Sequence, residues 1–284
     1  MKIDAHQHFW HFDPVRDSWI TEDMSVLRRD FLPEELQPLL GQQGIDGSVA
    51  VQADQSEDET HFLLRLADEY PFILGVVGWV DLLAPKLEER LEYFSRFERL
   101  RGVRHIAQTE SDHFLARGDV VHRIGMLRDF GLSYDILVYP QQLPSVLSMV
   151  ERLPHQSFVL DHLAKPLIRE GRMKTWAGLM KELADHPNVW CKASGMVTEA
   201  DWTGWQPGDI HPYLDVVFEA FGPDRLMFGS DWPVCLLAAS YQDVWGLVDG
   251  YVGQMSTAER EKLFGGNAAA FYGLDGSLLS TEGV

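Results

Sequence analysis

Ile3-Asp4-Ala5-His6-Gln7-His8 is the stretch that decides the fold, because it joins a strand-like segment to two imidazoles. Two later stretches have the same design: Leu160-Asp161-His162 and Gly229-Ser230-Asp231 also follow short apolar segments. If these segments are parallel strands of one barrel, the side chains that follow them meet at its carboxyl-terminal rim, where such barrels carry out their chemistry. The sequence therefore predicts one convergent site.

Eight segments rich in apolar or β-branched residues recur at intervals of roughly 25 to 45 residues, the spacing of strand-plus-helix units. They are 2–5, 47–52, 72–80, 102–106, 132–138, 157–160, 188–193 and 225–228. The intervening stretches are helix-like and begin with signals such as Pro33 and the Ser56 capping box. Strict alternation predicts a parallel sheet, and eight units favour closure into a (β/α)8 TIM barrel. A doubly wound open sheet is the alternative, but no glycine-rich phosphate loop follows the first segment to support it.

The length of 284 residues fits one large α/β domain or two small ones. Because no interdomain linker is visible, we expect a single barrel domain over residues 1–284, with a flexible tail after about residue 274. No run approaches the roughly 18 apolar residues of a membrane span, and no leader precedes Ile3. Cys191 and Cys235 cannot form a disulfide scaffold and are expected to be buried thiols. These features predict a cytoplasmic protein.

The charge of the chain restricts its partners. It carries 24 basic and 43 acidic residues, a formal net charge of -19. Nucleic-acid binding requires a positive surface, so no nucleic-acid partner is expected, and anionic membranes are disfavoured too. The sequence does not determine the oligomeric state.

His6 and His8 are two residues apart on a strand, so their side chains point the same way, and Asp4 shares that face. Two imidazoles on one face at the end of a strand form half of a metal site. The alternative is a pair of hydrogen-bonded histidines that hold a loop.

Two further rim positions carry candidate chemistry. Strand alternation lets only one of the adjacent Asp161 and His162 face the barrel axis. Asp231 follows the eighth segment, where a carboxylate could bind a metal, activate water as a general base, or do both. The structural alternatives are a hydrogen-bonded histidine at 162 and a helix cap at 231.

Taken together, these motifs resemble those of the amidohydrolase superfamily, in its amidohydrolase 2 branch, which contains sugar lactonases similar to L-fuconolactonases and L-rhamnonolactonases. The resemblance spans nearly the whole chain, through residues 3–10, 101–105, 161–166, 191–195, 228–233 and 266–272. Each motif is weak alone, but their order is specific. The resemblance implies a distorted (β/α)8 barrel that hydrolyses a carbonyl or phosphoryl ester with an activated water.

One departure from the family pattern concerns the metal. Many superfamily members have a metal-binding histidine after the fifth strand, whereas residues 132–139 contain none, and the fourth strand offers no bridging lysine. A binuclear site is therefore not expected. The remaining candidate ligands are His6, His8, His162 and Asp231, enough for one divalent ion of the zinc type. Metal-independent catalysis stays open, because the lactone-hydrolysing branch includes members without metal.

The resemblance implies a hydrolase that opens a sugar-acid lactone, an aldono-1,4- or 1,5-lactone such as L-fuconolactone, to the aldonic acid. Asp231 is expected to take a proton from water and return it to the ring oxygen. The developing oxyanion would be met by a metal ion, or by His162 with Arg104. The alternatives are a metal-dependent decarboxylase of a small aromatic or enoic acid, which the branch also contains, and a non-catalytic binding protein on the same fold.

Residues at or just beyond strand ends are candidates for substrate binding. We expect a neutral sugar ring, because Arg104 is the one arginine that the sequence places at a strand end, and indole rings suit such a substrate. At least two tryptophans are expected to line the pocket. The candidates are Trp10, Gln52, Trp79, Tyr139, Lys192, Ser194, Trp202 and Trp232.

Overall fold

Eight parallel strands form the core of the protein in a computed structural model that describes residues 1–275. Their order around the sheet follows the chain from β1 to β8. The strands are β1 Ile3–Gln7, β2 Gly47–Val51, β3 Ile73–Gly78, β4 Leu100–His105, β5 Ser133–Ile136, β6 Phe158–Leu160, β7 Val189–Ala193 and β8 Leu226–Phe228. All eight segments predicted from apolar runs overlap these strands.

The sheet closes where the first strand meets the segment after the last. Gln7 bridges Trp232 in the parallel direction. The amide of His8 donates to the Trp232 carbonyl over 2.7 Å, and the Asp231 amide donates to the His6 carbonyl over 2.9 Å. The first three strand pairs contain register shifts. The predicted (β/α)8 TIM barrel is thus confirmed, with local irregularity.

Helices connect the strands and surround them. They are α1 Pro33–Gln42, α2 Glu57–Glu69, α3 Leu87–Phe94, α4 Gly118–Gly125, α5 Leu143–Arg152, α6 Lys174–Ala184, α7 Met196–Glu199, α8 Pro207–Phe221, α9 Tyr241–Tyr251, α10 Thr257–Glu261 and α11 Asn267–Tyr272. Ser56 caps α2, as its sequence predicts, and Ser256 caps α10. Helix α8 begins at Pro207, a residue suited to a first helical turn.

Apolar side chains fill the barrel and the layer between strands and helices. The cluster formed by the strands includes Ile3, Val49, Leu74, Val159 and Met227, and Tyr272 of α11 packs with it. Both cysteines are buried free thiols, as expected. No helix among residues 1–275 combines the length and apolarity needed to cross a bilayer. The tail expected after about residue 274 lies, from residue 276 onward, outside the described residues.

Candidate active site

Four side chains predicted to share a site converge at the carboxyl-terminal rim. The Nε2 atoms of His6 and His8 lie 3.2 Å apart. Asp231 Oδ1 lies 3.4 Å from His8 Nε2, 3.7 Å from His162 Nε2 and 3.8 Å from His6 Nε2. All four side chains are buried, with no more than 5% of any of them exposed. The structure therefore brings strands β1, β6 and β8 together as one donor set.

The hydrogen bond of His8 fixes its tautomer and directs the lone pair of its Nε2 toward Asp231. His8 Nδ1 lies 2.7 Å from the Val51 carbonyl, which can only accept, so His8 Nε2 carries no proton in the neutral ring. His6 Nδ1 lies 3.2 Å from a carboxylate oxygen of Asp161, and His162 Nδ1 lies 2.9 Å from Ser194 Oγ. Burial lowers the pKa of His6 and of His162 well below the ordinary value, which keeps both rings neutral.

This arrangement fits a metal ion. Ligand atoms about 2.0–2.1 Å from a tetrahedral zinc ion lie roughly 3.3 Å from one another. The separation of 3.2 Å between the Nε2 atoms of His6 and His8, and those of 3.4–3.8 Å from the three imidazoles to Asp231 Oδ1, are close to that value. Partners on the far ring nitrogens are also typical of histidines that bind metals. Ligand atoms of His6, His8 and Asp231 all lie within 4.8 Å of one another, and so do those of His6, Asp161 and His162. The first group, with His162 Nε2 3.7 Å from Asp231, could therefore hold one ion of the zinc type.

A buried ionic network lies behind the donor set. Asp161 accepts hydrogen bonds from Arg104 Nη1 over 3.1 Å, and the Lys192 ammonium lies 2.9 Å from its other oxygen. Lys192 also donates to Asp135 over 2.6 Å, and the Tyr272 hydroxyl donates to the same oxygen of Asp135 over 2.6 Å. This network links helix α11, which contains Tyr272, to the imidazole of His6.

The charges of this network move the pKa values of its carboxyl groups in opposite directions. Burial by itself would raise the pKa of Asp161, but the charges of Lys192 and Arg104 and the hydrogen bond from His6 outweigh burial and hold that pKa well below the ordinary value. Burial raises the pKa of Asp135, against the opposing effect of Lys192. Asp161, which strand alternation left as one of two choices, is therefore an ionised anchor for His6 and Arg104.

A cavity of about 310 Å³ opens above the donor set. Of the predicted site residues, it exposes His8, Arg104, His162, Asp231 and Trp10. Trp19 lines the cavity too, so two tryptophans contribute, which is the minimum number expected. The remaining lining residues are Arg16, Asp17, Ala53, Asp54, Gln55, Ile106, Gln108, Thr109, Leu137, Lys165 and Val234. The volume is typical of a small-molecule site.

Most of the predicted substrate-binding residues lie behind the cavity wall and support it. Lys192 is fully buried in the ionic network, and Trp232 packs against Phe9 and Phe31 with 2% exposure. The others bond protein groups or pack against them: Gln52 to the Arg104 carbonyl, Ser194 to His162, Trp202 to the Thr198 carbonyl, Tyr139 near Lys165, and Trp79 through its amide to Thr60. Strand-end position alone therefore does not place a side chain in the cavity.

A left-handed turn explains why both Asp161 and His162 reach the site. His162, Leu163, Ala164 and Lys165 have φ values of 53°, 53°, 54° and 48°. Strand alternation, which predicted that only one of the adjacent pair faces the axis, does not apply to such a backbone. Non-glycine residues in this region cost on the order of 1–3 kcal/mol each and cluster at functional sites.

Three lining cations are present where one arginine was expected. Arg16 and Lys165 join Arg104 at the cavity wall, so the argument for a neutral substrate from a single arginine no longer holds. Lys165 lies in the same motif as Asp161 and His162, and a charged residue before Pro166 is the signal that could have identified it. Arg16 lies in the connection between β1 and α1, where no periodic pattern marks it.

Comparisons with known proteins agree over nearly the full chain. The amidohydrolase family model matches residues 3–274. An L-fucono-1,5-lactonase of Burkholderia multivorans is 45% identical, over 96% of this chain and 96% of its own length. An L-fucono-1,5-lactonase of Burkholderia ambifaria is 37% identical over the same shares. A crystal structure of an amidohydrolase from Burkholderia multivorans with bound zinc has a TM-score of 0.93 at 45% identity, and the match covers 97% of this chain and 100% of that chain.

Proposed function

Because this chain belongs to the amidohydrolase family, we propose that it is a hydrolase that opens a sugar-acid lactone, such as L-fucono-1,5-lactone, to the aldonic acid. The observation that carries the proposal is the carboxylate of Asp231, which faces three imidazoles at the floor of the cavity. The two full-length relatives, both L-fucono-1,5-lactonases, support this reaction over the decarboxylation considered from the sequence.

Asp231 is the group that activates water. Burial by itself would raise its pKa, but His162, His8 and Lys165 outweigh burial and hold the pKa of Asp231 below the ordinary value. The carboxylate is therefore ionised at neutral pH and can accept a proton from a water molecule that attacks the lactone carbonyl. The same carboxylic acid then returns the proton to the ring oxygen as the carbon–oxygen bond breaks.

His162 and Arg104 meet the negative charge that develops on the carbonyl oxygen. Both line the cavity, and Arg104 is held by Asp161 and by the Gln52 carbonyl. A divalent ion held by His6, His8, His162 and Asp231 would supply Lewis-acid polarisation of the carbonyl and acidify bound water. The bound zinc of the Burkholderia multivorans structure supports zinc as that ion.

A panel of lactones assayed with and without a chelator tests the proposal. The purified protein should open aldono-1,4- or 1,5-lactones, L-fucono-1,5-lactone among them, far above the spontaneous rate, measured as proton release with a pH indicator. A sample without protein gives the rate of spontaneous hydrolysis. The variant Asp231→Asn is assayed in parallel, and it should fold normally and lose turnover. No acceleration by the wild-type protein with any lactone, with or without added zinc, would refute the proposed function. Near-normal turnover by Asp231→Asn would refute the assignment of the base.

A further inference from the structure

The left-handed turn from His162 to Lys165 presents a second side chain to the cavity. Lys165 precedes Pro166, and a residue before proline is ordinarily extended, yet Lys165 has φ 48° and ψ 59°. Two buried contacts hold this backbone: the Lys165 amide donates to the His162 carbonyl over 2.7 Å, and Trp176 Nε1 donates to the Leu163 carbonyl over 2.7 Å. The conformation is therefore built by its surroundings.

The turn sorts its side chains between the core and the cavity. Leu163 and Ala164 are fully buried among apolar residues. His162 and Lys165, three residues apart, both line the cavity. An extended continuation of β6 would alternate its side chains and could not place these two on one wall. The strained backbone therefore places the ammonium of Lys165 at the wall of the cavity.

Glu199, at the end of α7, fixes the position of that ammonium. Its Oε1 lies 3.4 Å from Lys165 Nζ, and both side chains are 18% exposed. The Lys165 ammonium also lies 5.5 Å above the ring of Tyr139. A flexible four-carbon stem is thereby restricted to one side of the cavity.

The other two lining cations lie closer to their carboxylate partners than Lys165 Nζ lies to Glu199. Arg16 makes a two-pronged ion pair with Asp17, with both contacts at 2.7 Å. Arg104 donates to Asp161. A lysine ammonium has three donors, and the ion pair of Lys165 with Glu199 uses one of them. Lys165 is therefore the lining cation least closely paired with a carboxylate, with donors left for a ligand anion.

We propose that Lys165 is a further catalytic residue that binds the carboxyl group formed when the lactone opens, and that Glu199 is a positioning residue for it. The inference rests on the proposed function. The oxygen of water bonds to the neutral lactone carbonyl, the ring carbon–oxygen bond breaks, and Asp231 carries the proton from the water to the ring oxygen. The resulting carboxylic acid loses its own proton to solvent. The Lys165 ammonium takes no part in these proton transfers and pairs with the charge that this group gains.

Kinetics of substituted proteins give the first test. Lys165→Met removes the ammonium and keeps the stem, so kcat/KM should fall by a factor of order 10²–10³. Lys165→Arg restores a cation and should recover part of that loss, and Glu199→Gln should show a smaller fall. Lys181→Met is the matched control, because Lys181 forms an exposed ion pair with Glu219 over 3.0 Å on the outer helices. It should behave as the wild type.

Binding of two matched ligands gives a test that does not depend on turnover. L-fuconate carries the product carboxylate, whereas L-fucitol has a neutral hydroxymethyl group in its place. By isothermal titration calorimetry the wild type should prefer L-fuconate. Lys165→Met should lose roughly 10- to 100-fold in affinity for L-fuconate and keep the wild-type affinity for L-fucitol. Circular dichroism and thermal melting check that the variant is folded.

The two tests distinguish a failure of the Lys165 role from a failure of the proposed lactonase function. If Lys165→Met hydrolyses lactones like the wild type, or keeps the wild-type preference for L-fuconate, the role of Lys165 is overturned and the lactonase function stands. If the wild type opens no lactone but shows a carboxylate preference that Lys165→Met removes, the anion site stands and the proposed reaction fails. A wild type that binds L-fuconate no better than L-fucitol, or not measurably, also overturns the inference.

Discussion

Replacement of Lys192 by methionine removes a positive charge from the centre of the barrel and keeps the length of the side chain. In the folded protein the Lys192 ammonium lies 2.6 Å from Asp135 and 2.9 Å from Asp161, and all three side chains have 0% exposure. Arg104, with 4% of its side chain exposed, is the second cation of this network. Two cations and two carboxylates balance in the native state.

The expected cost follows from the charge that is left behind. Without Lys192 the network has one uncompensated negative charge in a dry interior. Removal of one partner of a buried ion pair destabilises a protein by about 3–5 kcal/mol. For a domain of this size, each kcal/mol lowers the melting temperature by about 2–4 °C, so Lys192→Met should melt roughly 6–20 °C below the wild type.

A second substitution identifies the source of that cost. Lys192→Met combined with Asp135→Asn restores the charge balance, because Arg104 and Asp161 remain paired. The double variant should therefore be more stable than Lys192→Met, with a coupling of about 0.5–3 kcal/mol. Lys181→Met serves again as the control and should stay within about 0.5 kcal/mol of the wild type, because its partner Glu219 is exposed.

Urea unfolding and thermal melting of the four proteins provide the measurement, and pH gives an independent check. Burial already raises the pKa of Asp135, and loss of Lys192 raises it further. A carboxyl whose folded pKa is raised favours the folded state at low pH and loses that contribution as pH rises through the folded pKa. The stability gap between Lys192→Met and the wild type should therefore narrow toward acid pH. A loss no larger than that of Lys181→Met, or a gap that widens in acid, would refute the reasoning.

Three smaller predictions concern single positions. Burial raises the pKa of Asp4 from 3.8 to about 6, so the wild type should lose on the order of 3 kcal/mol as pH rises from about 4 to about 6, and Asp4→Asn should flatten that dependence in urea unfolding. His8→Ala removes one imidazole donor and should weaken zinc binding by at least about tenfold, measured by competition with a colorimetric chelator; unchanged affinity would exclude His8 as a ligand. Trp19 lines the cavity with 43% exposure and packs against Trp10 at 6.1 Å between ring centroids, so Trp19→Ala should raise KM several-fold with only a small fall in melting temperature.

The barrel was predictable because its signals are local. Each strand is a short apolar segment, and each following helix has its own start signals, so the alternation can be read without knowledge of tertiary contacts. The convergence of His6, His8, His162 and Asp231 then follows from topology, since parallel strands end at one rim. Membership of the donor set thus depends on which strand a residue follows, and the sequence alone shows this.

The cavity wall was less predictable because it depends on the direction of side chains beyond the strands. The alternation rule assumes an extended backbone, whereas His162 to Lys165 and Asp231 all have positive φ values. The rule consequently missed Lys165 and left Asp161 undecided. The second reason is that a residue near a strand end can find partners in the interior. Trp232 packs against the aromatic ring of Phe31, and Lys192 pairs with the buried carboxylates of Asp135 and Asp161.

The charges of the site and of the whole chain act over different distances in the proposed reaction. A net charge of -19 disfavours an anionic product at the surface, but salt screens such charges beyond about 8 Å. Lys165 and Arg104 both line the cavity, and their positive charges oppose that field there. An acidic protein can therefore stabilise a developing anion through a few fixed cations in its cavity. Once the product has left these cations, the negative net charge of the protein favours its departure. The backbone strain at Lys165 has a function in this scheme, because it places one of those cations beside His162.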